Sequence, residues 1–186
     1  MCGIAGLLSF GKKIEKVLLE KMTSQLRHRG PDGAGMWVSS SHLIGLGHRR
    51  LSVIDLADTG KQPMHYANKR YTITYNGEIY NYLELKENLI QKGYTFNSTS
   101  DTEVLLALYD QKKEKALQEL DGMFAFAIWD DHEKTLFCAR DRFGEKPFYF
   151  HAGSDQFAFA SEMKALFSLD IPKIINHKKI YNYLLY

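Results

Sequence analysis

At 186 residues, with 45% hydrophobic, 25% charged and 13% aromatic side chains, the chain has the composition of one soluble globular domain long enough to bury a core. A net charge of +2 argues against nucleic acid or an anionic membrane surface as partner, and the longest apolar run, Met123 to Trp129, is too short to cross a bilayer. Two cysteines, Cys2 and Cys138, make no disulfide framework, so a reducing, cytoplasmic setting is expected. In chain order, residues 3–9 read as a short apolar strand, and the pattern after Gly11 predicts a helix over 14–26. Arg29-Gly-Pro-Asp-Gly33 is dense in turn formers. Residues 36–40 and 42–47 read as a strand pair, with 48–56 running on as strand and loop. Tyr71 to Tyr75 alternates Thr, Ile and Thr between aromatics, a strand pattern that Asn76-Gly77 would end in a turn. Helices follow over 79–91 and 101–112, the second opened by Ser100-Asp-Thr-Glu103, which has the form of a capping box. After a third short helix come strands near 123–130, 134–141, 146–152 and 156–160, then a helix from Glu162. Strands at both ends with helices between them predict an α+β layered domain. Residues 176–186 are helical in pattern and stop without a cap, as expected of a piece of a longer polypeptide.

Cys2 is the residue with the most chemistry to offer. Removal of Met1 would expose a cysteine carrying both a thiol, with an ordinary pKa of about 8.5, and an α-amine, with one of about 7.7–8.0. A largely neutral amine can take the thiol proton, so one residue supplies nucleophile and base. A retained Met1 would block that amine, and a lone cysteine near a terminus is ordinarily just a small hydrophobe. Other residues have similarly double readings. Asn76 and Gly77 form a turn, or their side-chain amide and backbone N–H form an oxyanion hole. Arg50 closes a salt bridge at a strand end, or grips a carboxylate with its guanidinium fork. Asp101 complements a helix dipole, or binds an ammonium group. The second set of readings fits together: it is what hydrolysis of the side-chain amide of a free amino acid requires, and glutamine fits it. The seven histidines are scattered, no metal-ligand spacing occurs, and no Gly-rich phosphate loop is found, so no cofactor is expected in this domain.

Eight segments carry a resemblance: Met1-Cys-Gly-Ile-Ala-Gly6, Arg27-His-Arg-Gly-Pro-Asp-Gly33, Arg50-Leu-Ser-Val-Ile-Asp55, Tyr75-Asn-Gly-Glu-Ile-Tyr-Asn81, Ser100-Asp-Thr-Glu103, Leu120-Asp-Gly-Met-Phe-Ala-Phe126, Arg140-Asp-Arg-Phe-Gly144 and Ala160-Ser-Glu-Met-Lys-Ala165. In order over nearly the whole chain, they resemble the N-terminal glutaminase domain of asparagine synthetase. That domain is a class II glutamine amidotransferase of the N-terminal-nucleophile hydrolase superfamily. The resemblance implies a four-layer αββα sandwich with the nucleophile at the start of a central strand. It implies Cys2 as nucleophile, Asn76 and Gly77 as oxyanion donors, Arg50 on the glutamine carboxylate and Asp101 on its ammonium. Leu51, Val53, Ile54 and Glu78 would line the pocket, largely through backbone contacts. L-glutamine would be the substrate. The domain would occupy 1–175, with 176–186 starting a linker or helix toward a C-terminal synthetase domain. ATP and magnesium would be used only there. The oligomeric state is left open, a homodimer included. Two rivals remain at this stage: the same fold with silent chemistry acting as a glutamine-binding module, and an amidase for another amide, which would leave Arg50 and Asp101 unpaired.

Overall fold

The computed structural model describes residues 1–52 and 58–185. Among them the strands are β1 (Gly3–Ser9), β2 (Gly33–Val38), β3 (Ile44–Arg50), β4 (Met64–Tyr66), β5 (Tyr71–Ile79), β6 (Gly122–Asp130), β7 (Thr135–Arg140), β8 (Tyr149–Ala152) and β9 (Gln156–Ala160). The helices are α1 (Lys16–Ser24), α2 (Tyr82–Gln91), α3 (Asp101–Lys112), α4 (Met163–Leu166) and α5 (His177–Leu185). The strands form two antiparallel sheets, in the orders β2-β3-β1-β9-β8 and β4-β5-β6-β7.

Side chains alternate across a strand, and β1 shows why its sequence is apolar on both faces. Ile4 points into the layer between the sheets with Ile44, Leu46, Ala125, Ala127, Trp129 and Phe159. Ala5 and Leu7 point the other way, against Met22 beneath α1 and Ala165 and Leu166 of α4. On the far side, Tyr71, Ile73 and Tyr75 of β5 and Phe126 and Ile128 of β6 pack on Leu85, Leu89 and the Val104–Leu108 stretch. The layers therefore run helix, sheet, sheet, helix, the expected αββα sandwich. Every residue of α3 from Asp101 to Tyr109 is buried, because the helix packs on both the sheet and α2.

Several boundaries differ from the sequence reading. The first helix is shorter than 14–26, since the backbone N–H of Ile14 is taken by His42 O at 2.7 Å and Leu26 closes a tighter turn onto Thr23 O at 3.1 Å. The first strand of the expected pair begins at Gly33, three residues early, and pairs with Arg50. The expected third short helix is a 3-10 segment, Lys113–Gln118. The strand expected from 146 starts at Tyr149, because the Asp141 carboxylate gathers the N–H groups of Phe143, Glu145 and Lys146 into a loop. The largest change is at Asn76-Gly77. These residues do not turn; they lie within β5, paired with Ala125 and Phe124 of β6. The capping box is half made. Ser100 Oγ accepts from Thr102 N at 3.1 Å, but the Glu103 carboxylate is already occupied by the N–H groups of Asn97 and Ser98 and the Ser98 hydroxyl. Helix α5 buries none of its residues.

Phe159 is the keystone of the layer between the sheets. It is fully buried, stacks on Phe148 with ring centroids 5.1 Å apart, and lies over Gly6, where an added Cβ would meet its ring at 2.2 Å. Phe159→Ala is expected to lower stability by about 3–5 kcal/mol, measured by urea unfolding. A loss below about 1 kcal/mol would mean that the two sheets close over the gap.

Candidate functional site

The site starts from a strand edge. β4 pairs with β5 only as far as Met64↔Ile73, while β6 accompanies β5 along its whole length. In an antiparallel ladder the N–H and C=O of a residue point to one side, and those of the next residue to the other. Tyr80 N donates to Asp121 O toward the β6 side at 2.7 Å, so Tyr75, Gly77 and Ile79 direct their backbone groups to the edge that β4 has left. Tyr75 N donates to Gln62 Oε1 at 2.7 Å, and Ile79 N donates to Asp101 Oδ2 at 3.1 Å. Between them the Gly77 N–H projects from the same edge into a cavity that Gly77 lines. A side chain does not fit there: an added Cβ would come within 2.5 Å of Met123 O and 2.8 Å of Phe124 Cα. Asn76 points to the other face of β5, the layer between the sheets. It is 2% exposed, and its Nδ2 is, among the described residues, the buried side-chain polar atom that has no hydrogen-bond partner. An unmet buried donor costs about 1–3 kcal/mol.

Cys2 enters this cavity from the neighbouring sheet. β1 pairs with β3 from Gly3↔Arg49 onward, so one step earlier Cys2 comes opposite Arg50. Its thiol rests on the Leu51 backbone, with Leu51 N at 3.4 Å and Leu51 O at 3.6 Å from Sγ. Its carbonyl accepts from Arg29 Nε at 3.0 Å. Arg29 is held in turn by Glu162, with Nη1 at 3.1 Å from Oε1. Glu162 also meets His28 Nε2 at 2.8 Å and Lys164 Nζ at 3.2 Å. Burial raises the Glu162 pKa, but the bonds from His28, Arg29 and Lys164 outweigh it and bring the carboxyl down to about 2. The other cysteine is different. Burial pushes the Cys138 thiol up to about 12, so it forms little thiolate at neutral pH.

Asp101 opens α3 at 5% exposure. Its Oδ2 accepts from the Tyr75 hydroxyl at 2.7 Å and from Ile79 N. Burial raises its pKa, opposed first by the Tyr75 bond and then by the backbone N–H groups. A buried carboxylate whose pKa is raised gains from a cationic ligand. His48, at 1% exposure, is pushed down to about 4, chiefly by desolvation. It is neutral at pH 7, and its Nε2 lies 3.1 Å from Tyr75 O.

The cavity encloses about 240 Å³. The structure brings Cys2, Arg50, Leu51, Asn76, Gly77, Glu78 and Asp101 to its wall; Val53 and Ile54 lie outside the described residues. Arg29 stands behind Cys2 and His48 in the cavity wall. Arg29 and Glu162 lie in segments of the resemblance to which the sequence attached no chemistry, and 133 residues separate them. Gln62 and Lys146 also line the cavity; no sequence signal marked Gln62, and Lys146 lies in a stretch, 141–147, that matches family motifs without an assigned chemistry. Met1 lines it too, with its sulfur 3.7 Å from Lys146 Nζ.

A family model described as "Glutamine amidotransferase domain" matches residues 1–186. Asparagine synthetase [glutamine-hydrolyzing] 1 of Bacillus subtilis is 48% identical over 170 residues, covering 89% of this chain and 26% of that protein. Putative asparagine synthetase [glutamine-hydrolyzing] 2 of Methanocaldococcus jannaschii is 40% identical over 198 residues, covering 98% of this chain and 37% of that one. The chain thus spans between about a quarter and two fifths of these relatives' lengths. Among solved structures, a glutamine phosphoribosylpyrophosphate amidotransferase from B. subtilis superposes with a TM-score of 0.74 at 23% identity, over 90% of this chain and 43% of that one. At that identity the likeness concerns the fold alone.

The raised Asp101 pKa has a measurable sign. Between the ordinary carboxylate value and the raised one, the folded protein holds a proton that the unfolded chain has released. Stability therefore falls as pH rises through that window. Asp101→Asn removes this fall, so the stability of the variant relative to the parent is expected to rise from acid to neutral pH in urea titrations. A difference that stays level with pH would assign Asp101 an unshifted carboxyl.

Proposed function

This chain belongs to the glutamine amidotransferase domain family, and on that premise we propose that its cavity hydrolyses L-glutamine to glutamate and ammonia through a thioester on Cys2. The observation that carries the proposal is the unmet donor of Asn76, set beside the Gly77 N–H in the cavity that Cys2 enters. Two preorganised donors without an acceptor suit a developing oxyanion better than any ground-state contact.

With Met1 removed, the Cys2 α-amine takes the thiol proton and the thiolate attacks the side-chain carbonyl of glutamine. The C–S bond forms while Asn76 Nδ2 and Gly77 N–H hold the oxyanion. Collapse of that intermediate breaks the C–N bond, and the amine's proton leaves with the nitrogen as ammonia. Water, deprotonated by the same amine, then adds to the γ-glutamyl thioester and displaces the thiol, giving glutamate. Arg50 takes the substrate carboxylate and Asp101 its ammonium, which offsets the burial of Asp101. Arg29 holds the Cys2 carbonyl, so the terminal residue stays oriented once Met1 is gone. Leu51, Glu78 and, by the family resemblance, Val53 and Ile54 complete the pocket.

The ammonia would pass to a synthetase domain beyond residue 175, with 176–186 leading toward it, as the names of the longer relatives suggest. That domain would use ATP and magnesium to activate an acceptor, aspartate on the strength of those names. A cytoplasmic setting fits two unpaired cysteines and a helix set in which none, among the described residues, is long and apolar enough to cross a membrane.

The test is glutamate release from L-glutamine by protein whose N-terminal mass has been verified. Turnover is expected with Cys2 at the terminus, none in Cys2→Ala, and a loss of about 100-fold in kcat for Asn76→Ala. Glutamine binding without turnover by processed protein would replace the glutaminase with a glutamine-binding module. Turnover in Asn76→Ala within about threefold of the parent would remove Asn76 from the oxyanion hole.

A further inference from the structure

Tyr75, the residue before Asn76, is held at three polar points by three other segments of the chain. Gln62 Oε1 accepts its backbone N–H at 2.7 Å. His48 Nε2 lies 3.1 Å from its carbonyl oxygen. Its hydroxyl donates to Asp101 Oδ2 at 2.7 Å. None of these partners belongs to β5 or to either strand paired with it. A carbonyl has no proton to give, so His48 must be the donor, as the Nε2–H tautomer of a neutral imidazole.

The clamps are themselves fixed. His48 sits in the middle of the first sheet, opposite Ile4 and Gly35, and is almost wholly buried. Gln62 turns its amide nitrogen to Thr102 Oγ1 at 3.4 Å, and its main chain presses on Gly35, where an added Cβ would meet Gln62 O at 1.9 Å. The Tyr75 carbonyl and the Asn76 N–H share one rigid peptide plane. Holding that plane sets the direction in which the Asn76 side chain leaves β5 and the direction of the Gly77 N–H two bonds further on. Beyond Ile73 no strand among the described residues does this work, because β4 pairs with β5 no further.

We propose that His48 and Gln62 are positioning residues for the oxyanion hole, acting on Asn76 and Gly77 through the main chain of Tyr75, and that the Tyr75 hydroxyl ties the same strand to the ammonium-binding Asp101. The proposal rests on the glutaminase reading above. The hole would then be built as a side-chain substitute for a missing strand, braced from the first sheet by His48 and from the loop before β4 by Gln62. Core packing alone would make the two residues matter for stability and for nothing else, so binding and chemistry must be measured apart.

The experiment compares His48→Leu, Gln62→Leu and His48→Gln, whose amide Nε2 can replace the imidazole Nε2 as donor. The kcat and KM for glutamine are measured in processed protein, and the glutamine Kd by calorimetry in a Cys2→Ala background. The third readout is inhibition by glutamate γ-semialdehyde. The Cys2 sulfur adds to the aldehyde carbon of this probe, leaving the former carbonyl oxygen in the hole. The leucine variants are expected to lose about tenfold or more in kcat and in semialdehyde affinity while the glutamine Kd stays within about threefold, and His48→Gln is expected to recover most of the loss. Equal losses in kcat and in glutamine binding would overturn the proposal, as would leucine variants with kcat near that of the parent, or a His48→Gln no better than His48→Leu. Gln62 is only partly buried, so Gln62→Leu decides the matter if His48→Leu does not fold. Absence of turnover in the processed parent would instead sink the glutaminase reading, and this proposal with it.

Discussion

Beyond the Met64↔Ile73 pair, β5 has, among the described residues, a neighbouring strand on one side only, and the polar groups of its free edge are too deeply placed to be left to bulk water. An unpaired strand edge is ordinarily a liability that a protein covers or blunts. Here it is satisfied point by point: Gln62 takes the Tyr75 N–H, His48 the Tyr75 carbonyl, and Asp101 the Ile79 N–H. Between those anchored points the Gly77 N–H faces the cavity, whose wall Tyr75, Asn76, Gly77 and Glu78 all share. The proposed catalytic use of the edge follows from that arrangement. A reacting oxygen can meet a backbone donor there without breaking any bond that the fold requires.

Against this edge the fold brings a chain terminus, which is usually the least ordered part of a domain. β1 lies inside its sheet, between β3 and β9, and Ile4 is bonded through both N and O to Ser161, just past the end of β9. Cys2 is therefore only two residues from a doubly paired strand. Arg29 and Glu162 then lock its carbonyl from the α1 and α4 side. Cys2 and the Asn76–Gly77 donors belong to different sheets, so their relative placement depends on the apolar layer of Ile4, Leu46, Phe159 and Ala125 that sets the sheet spacing.

The site also concentrates groups that a stable core would avoid. Asp101 is a buried carboxylate whose proton is hard to remove, His48 is an imidazole denied its charge, and Asn76 keeps a donor without a partner. Each is less favourable in the empty protein than an apolar residue of like size would be. In the proposed reaction, substrate would supply the missing partner in two of the three cases, an ammonium for Asp101 and an oxyanion for Asn76. Such local penalties, sustained by a well-packed surround, are what a preorganised site consists of.

Much of the chemistry was legible in the order of residues alone. Cys2, Arg50, Asn76, Gly77 and Asp101 are marked by residue types whose functional readings fit one substrate, and strands at both ends of the chain with helices between them indicate a layered α+β domain. Asn76-Gly77 was misread as a turn because the alternation that identifies a strand is carried by side chains. Gly77 has none, and Asn76 is polar for a reason outside the strand. The half-made capping box failed for a similar cause: Glu103 had nearer donors in Asn97 and Ser98 than the one the motif names. Local pattern thus determined which groups the protein possesses and which elements carry most of them. Only the tertiary structure decided that β4 accompanies β5 no further than Met64↔Ile73, that Arg29 meets Glu162 across 133 residues, and that His48 of one sheet reaches Tyr75 of the other. These contacts depend on where separate segments come to rest once their apolar faces are buried together, and no spacing along the chain encodes that distance.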